Sequence, residues 1–165
     1  MLETIVGKRG RGKTTLAKQL ILKQQTERPR IRVFVLDYLS EYSSFSGRNV
    51  YVQNLGLKSF CHKVWDESSV RKPSLVVFDE IDLYGKDDFR IAHLYKFGRH
   101  KGIDLIAVAR RFYDLPVYVR ALTDEFHLFQ ITEERDLSYL KRLVPEATLQ
   151  VLINLEPFHY INVSI

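Results

Sequence analysis

Cysteine is almost missing from this 165-residue chain: Cys61 stands alone. No intramolecular disulfide and no cysteine-built metal cluster can form. That fits a reducing compartment such as the cytoplasm. Long hydrophobic runs are missing too. The apolar stretches are strand-sized, far short of the ~20 residues of a membrane-spanning helix. The opening MLETIVGKRG brings in charge at Glu3 and Lys8, unlike a secretory or transit signal. Only eight glycines and five prolines occur, and no repeat or low-complexity tract, which excludes a fibrous or disordered chain. The length suits one domain spanning 1–165, large enough to bury a core. Charge is nearly balanced, 25 Lys and Arg against 20 Asp and Glu. The net +5 admits a polyanionic partner such as nucleic acid, or simply a basic surface without one.

What is present is an alternation of short apolar runs and amphipathic stretches. Strands are expected at Leu2–Val6, Ile31–Leu36, Asn49–Gln53, Ser74–Phe78, Ile103–Ala109, Glu125–Ile131 and Phe158–Ile165. Helices are expected at Thr14–Gln25, near Leu57–Trp65, at Asp88–Arg99, from an N-cap at Thr132 through Leu143, and again after Pro145. In the first helix Leu16, Ala17, Leu20 and Ile21 share one face, and Lys18, Gln19, Lys23 and Gln24 lie elsewhere. The alternation predicts an α/β fold, a mainly parallel sheet flanked by helices on both faces.

The strongest motif is Gly7-Lys8-Arg9-Gly10-Arg11-Gly12-Lys13-Thr14, between the first strand and the first helix. It matches G-x-x-x-x-G-K-[ST], the loop that cradles phosphates. Glycines let the backbone curl around an anion. Its N–H groups and the helix N-terminus then point at the charge. Lys13 can reach the β- and γ-phosphates of ATP, and the Thr14 hydroxyl can ligate Mg²⁺. Gly7 through Thr14, with Thr15 behind them, are therefore the candidate nucleotide-binding residues. The bland alternative is a glycine-rich turn that holds nothing. Lys8, Arg9 and Arg11 carry more charge than a cradle needs. They are solvated, or they face a neighbouring subunit or a nucleic acid.

The second motif is Leu75-Val76-Val77-Phe78-Asp79-Glu80, a buried strand ending in two carboxylates. Ligands bind at that edge of open α/β sheets. Asp79 can hold Mg²⁺ through its water shell, and Glu80 can polarise an attacking water. The alternative is an N-cap pair for the next helix. The Asp-Glu pair favours a hydrolase over a phosphotransferase, which would need a lid and an acceptor pocket.

With these motifs in place, the chain resembles the HerA/FtsK branch of P-loop motor ATPases, which includes virus and phage genome-packaging ATPases. Two further stretches carry the resemblance. Val35-Leu36-Asp37-Tyr38-Leu39-Ser40-Glu41-Tyr42 is similar to that branch's strand ending in Asp. Gly98-Arg99-His100-Lys101-Gly102-Ile103-Asp104-Leu105-Ile106-Ala107-Val108-Ala109-Arg110-Arg111 looks like its Arg-x-x-Gly-Ile-x-Leu strand. Asp124 to Arg135 continues the similarity. The resemblance implies a P-loop NTPase of RecA-like (ASCE) type. It implies a ring homo-oligomer, a hexamer, hydrolysing ATP with Mg²⁺ to translocate or package double-stranded DNA. A viral capsid or portal protein is an implied partner, in the host cytoplasm or the virion. By resemblance Arg99 reaches a neighbour's nucleotide. The branch usually ends this strand in Gln, where Ala109 stands; Arg110 is the next polar residue.

Two other readings stay open: a small P-loop nucleotide or metabolite kinase, and a nucleotide-binding assembly or secretion module without turnover. Arg110, Arg111 and Arg120, near Phe112, Tyr113 and Tyr118, line a DNA path or a solvated loop. Five histidines show no metal spacing.

Overall fold

Runs such as LVVF and IAVA are apolar at every position, so they need cover on both faces. They lie at the centre of a sheet. The computed structural model describes residues 1–45, 49–53, 56–84 and 88–164. Among these, β1 (Leu2–Val6), β2 (Arg32–Leu36), β3 (Val50–Gln53), β4 (Ser74–Phe78), β5 (Ile103–Ala109), β6 (Glu125–Leu128) and β7 (Ile161–Ser164) form one sheet. Its order is β3-β2-β4-β5-β1-β6-β7. Every pairing is parallel except that of β6 with β7. This is the P-loop NTPase sheet that was expected. The strand carrying Asp79 is separated from β1 by β5.

The two faces divide by residue parity. Ile5, Val33, Val35, Leu75, Val77, Ile106 and Val108 pack on one side, under Leu16, Ala17 and Ile21 of α1 (Lys13–Glu27). Phe34, Leu36, Val76, Phe78, Leu105 and Ala107 face the other side. Five helices contribute there: α2 (Leu57–Glu67), α3 (Phe89–Phe97), α4 (Val117–Leu122), α5 (Glu134–Leu140) and α6 (Glu146–Ile153). Each buried Leu, Ile or Phe contributes ~1.5–3 kcal/mol, so this two-sided burial fixes the sheet. Cys61 belongs to the second core, where burial pushes its thiol up to about 12.

Several boundaries differ from the sequence reading. The helix expected to Arg99 stops at Phe97 and tightens into a 3₁₀ turn over Gly98–Lys101. Gly102, with φ +67, turns the chain into β5. Thr132 does not cap α5: Glu133 holds that position, and the helix ends at Leu140. Strand β6 ends at Leu128, although Phe129 still donates to Val6 O at 2.8 Å. Strand β7 begins only at Ile161, and Ile165 lies outside the described residues. Gln24, expected away from the apolar face of α1, is buried as well. Its amide donates to Met1 Sδ, and its carbonyl oxygen accepts from Arg28.

Candidate nucleotide site

The loop of residues 7–12 leaves β1 and enters α1 without a side-chain cap. The first-turn N–H groups of α1 are thus free of a capping side chain, as an anion-binding helix end requires. Gly12 sits at the N-cap with φ +102, a conformation that disfavours any Cβ. Gly10, with φ +74, opens onto space where a Cβ would meet nothing within 4 Å. The loop is tied down at its base, where Gly7 N donates to Ala109 O and Lys8 N to Gln130 O, both 3.3 Å. Lys13 is buried, and its ammonium folds back to Lys8 O at 3.1 Å. Burial draws its pKa down, against the pull of Glu80, Asp79, Asp82 and Glu41.

Asp79 and Glu80 leave the end of β4 at the same sheet edge. Two strand spacings of ~4.8 Å set β4 about 10 Å from β1. That gap leaves room for a phosphate and a water. Asp79 is 1% exposed, and both its carboxylate oxygens are buried without a hydrogen-bond partner among the described residues. Burial, then Glu41, Glu80 and Asp37, push its pKa up to about 7. Glu80 is raised as well, chiefly by burial and Asp82, with Lys13 and Arg110 opposing. Neither acts as a helix cap, because the 3₁₀ turn Ile81–Leu83 receives no side-chain cap bond. Glu80 itself sits at φ +52, a strained conformation costing a non-glycine ~1–2 kcal/mol.

Asp37, at the end of β2, organises the next turn. Its oxygens accept from Glu41 N at 2.9 Å and Tyr42 N at 2.8 Å. This aims Glu41 at the loop, where its carboxylate accepts from the Thr14 hydroxyl. Lys18 Nζ donates to Glu41 O at 2.7 Å. The result is a cleft of about 220 Å³ lined by Arg9, Gly10, Gly12, Lys13, Thr14, Thr15, Leu39, Glu41, Glu80 and Phe158.

The structure thus gathers the phosphate-loop residues with Asp79 and Glu80. It does not bring Arg99 there. Arg99 is exposed in the turn before β5, at the opposite sheet edge. Six strand steps of ~3.3 Å put that edge ~20 Å away. Arg110 does reach the site: its Nε lies 2.9 Å from Glu80 Oε2 and 3.1 Å from Asp82 Oδ2. The suggested DNA path is corrected in part. Phe112 is fully buried and cannot stack on a strand. Arg111 pairs with Glu133 at 3.3 Å, and Arg120 stacks 4.4 Å over the Tyr139 ring. Glu41, Asp82 and Phe158 were not anticipated as site residues. Glu41 lies inside the Val35–Tyr42 stretch, but nothing in its spacing announces contact with Thr14.

The fold recurs in solved structures. The genome-packaging NTPase B204 of Sulfolobus turreted icosahedral virus 2, solved with AMPPCP, matches 99% of this chain and 92% of its own, with TM-score 0.81 and 22% identity. The two chains share one fold. The cytoplasmic domain of EssC matches 87% of this chain and 34% of its own, with TM-score 0.68 and 18% identity. The Type VII secretion ATPase EccC of Thermomonospora curvata matches 81% and 21%, with TM-score 0.62 and 17% identity. No protein-family model and no curated protein sequence matches the chain. Among the described residues, no helix is long and apolar enough to cross a membrane.

Proposed function

We propose that the chain is an Mg²⁺-dependent ATPase, a single motor domain that assembles as a ring and moves or packages double-stranded DNA. The observation that carries the catalytic part is Asp79. A carboxylate with both oxygens buried and unpaired, beside three other carboxylates, calls for a cation. Thr14 and Asp79 would hold Mg²⁺, which would neutralise charge on the phosphates when bound. The amides of the loop and of the first turn of α1 bind the phosphates. Lys13 turns its ammonium from Lys8 O to the γ-phosphate. Glu80, made more basic by burial, accepts the proton of the attacking water at its carboxylate. Its place beside Asp79 favours transfer to water over transfer to a kinase acceptor. Arg99, exposed and far from its own site, is suited to a neighbour's site. The DNA rests on the fold shared over nearly the whole chain with B204, a DNA-packaging ATPase, and on the net positive charge. The ring rests on the sequence resemblance to HerA/FtsK-branch motors alone.

Hydrolysis assays with and without double-stranded DNA test this reading, alongside equilibrium ATP binding. The parent should hydrolyse ATP faster with DNA. Glu80→Gln should bind ATP but lose ~10²- to 10⁴-fold in rate. Lys13→Ala should lose binding. Parent-like turnover by Glu80→Gln would remove Glu80 from catalysis, and turnover indifferent to DNA would remove DNA as the driven substrate.

A further inference from the structure

Phosphate contacts explain only part of the cleft. Phe158 lines it too, 65% exposed, beside Gly10, Gly12, Thr14 and Thr15. Its backbone lies at φ +65, a region a bulky residue adopts at a cost of ~1–2 kcal/mol. The conformation is held from outside: Phe158 N donates to Arg11 O at 2.9 Å, and His159 N to Glu156 O at 3.2 Å. The ring rests on the phosphate loop itself. A Cβ placed on Gly12 would lie 2.6 Å from Phe158 Cδ1, so the contact exists only because residue 12 is glycine. Neither the strain nor the exposure serves the core. Strained, over-determined residues gather at ligand sites. Three of the four described non-glycine residues with positive φ, Ser40, Glu80 and Phe158, lie in or next to this cleft.

A nucleotide seated by its phosphates must leave its base at the rim of the same cleft. An aromatic ring fixed to the loop's backbone, with much of its surface open, is what a planar base stacks on. We propose that Phe158 is the platform for the nucleotide's base. The proposal rests on the reading of residues 7–14 as a triphosphate site. Stacking uses the π-face that every base has, so it confers affinity with little choice among bases. The expected ligand class is therefore nucleoside triphosphates generally, with GTP accepted about as well as ATP.

The test is equilibrium binding of ATP, GTP and inorganic tripolyphosphate, each with Mg²⁺, to the parent, Phe158→Ala and Phe158→Tyr. All three residue types suffer the same backbone strain, so the comparison isolates the ring. Phe158→Ala should weaken ATP and GTP ~5- to 150-fold and leave tripolyphosphate unchanged. Phe158→Tyr should restore both nucleotides. In hydrolysis, Phe158→Ala should raise KM and spare kcat, the mark of binding held equally in ground and transition states. Unchanged ATP affinity in Phe158→Ala, or equal weakening of ATP and tripolyphosphate, would overturn the platform and leave the phosphate site standing. A parent that binds neither ATP nor tripolyphosphate would overturn the phosphate site itself, and the platform with it.

Discussion

Replacing Asp79 with Asn should make the ligand-free protein more stable and the loaded protein useless. In the free protein this carboxyl is buried, unpaired and crowded by Glu41, Glu80 and Asp37. Its pKa rises from 3.8 to about 7, close to three units, and each unit is worth ~1.4 kcal/mol. Above pH 7 the ionised form therefore costs the native state up to ~4 kcal/mol. The sign is that of a raised acid: the native state binds the extra proton, so stability falls as pH climbs from 3.8 to 7. An asparagine removes the charge but still buries an amide, at ~1–3 kcal/mol. The net gain should be ~1–3 kcal/mol at pH 8. Urea titrations without nucleotide and with a chelator, at pH 8 and pH 5, measure it. The gain should shrink at pH 5, where Asp79 is itself protonated. Added Mg²⁺ and ATP should then stabilise the parent and not Asp79→Asn. A variant no more stable than the parent at pH 8, or a gain indifferent to pH, would refute the strained-carboxylate argument.

Arg110→Ala removes a cation that holds Glu80's pKa down, so the acid limb of the pH–rate profile should move to higher pH; an unmoved limb would separate Arg110 from Glu80. Arg99→Ala should bind ATP yet turn over slowly, by ~10³- to 10⁵-fold if its guanidinium serves a neighbour. Mixing it with Glu80→Gln should then recover activity that neither has alone, and failure to recover it in verified mixed rings would place Arg99 outside the neighbour's site. His127 bridges Glu3 Oε2 and Asn162 Oδ1, each at 2.8 Å. Burial opposes its charge, but these bonds outweigh it and raise its pKa. Its stabilisation should be full below the ordinary imidazole value of ~6.5 and fade as pH rises through the higher native value. The stability gap between the parent and His127→Gln, followed by urea unfolding, should narrow accordingly; a gap that widens with pH would refute it.

Much of the sheet was legible because a strand buried on both faces must be apolar throughout, and Ser74–Phe78 and Ile103–Ala109 are close to that. The phosphate loop was legible because its chemistry fixes glycines and a lysine at set spacings. Helix α4 was not: Val117 and Val119 are β-branched, and only packing of Val119 into the core makes the turn helical. Glu41 was missed because its aim depends on two backbone bonds to Asp37, which local spacing does not encode. Glu3 and His127 meet across two adjacent strands, 124 positions apart, so no spacing rule could pair them. Phe158 reads as an ordinary aromatic near a strand start. Its meaning depends on φ and on the absent side chain of Gly12, neither visible at its own position.

Strand β5 carries Arg99 just before its start and Arg110 just after its end. It is hydrogen-bonded on both sides, by β4 and β1, and six of its seven residues are buried. Such a strand has no slack: bending it would open voids on both faces of the sheet, and packed interiors resist that. It therefore works as a stiff strut. A push on Arg110, where it meets Glu80, is delivered ~20 Å away at the 98–102 turn, with Gly102 wedged against Ser69 and Val70. In a ring whose subunits touched through that turn, the state of one pocket would be transmitted along a single strand to the next, and successive sites would fire in mechanical series.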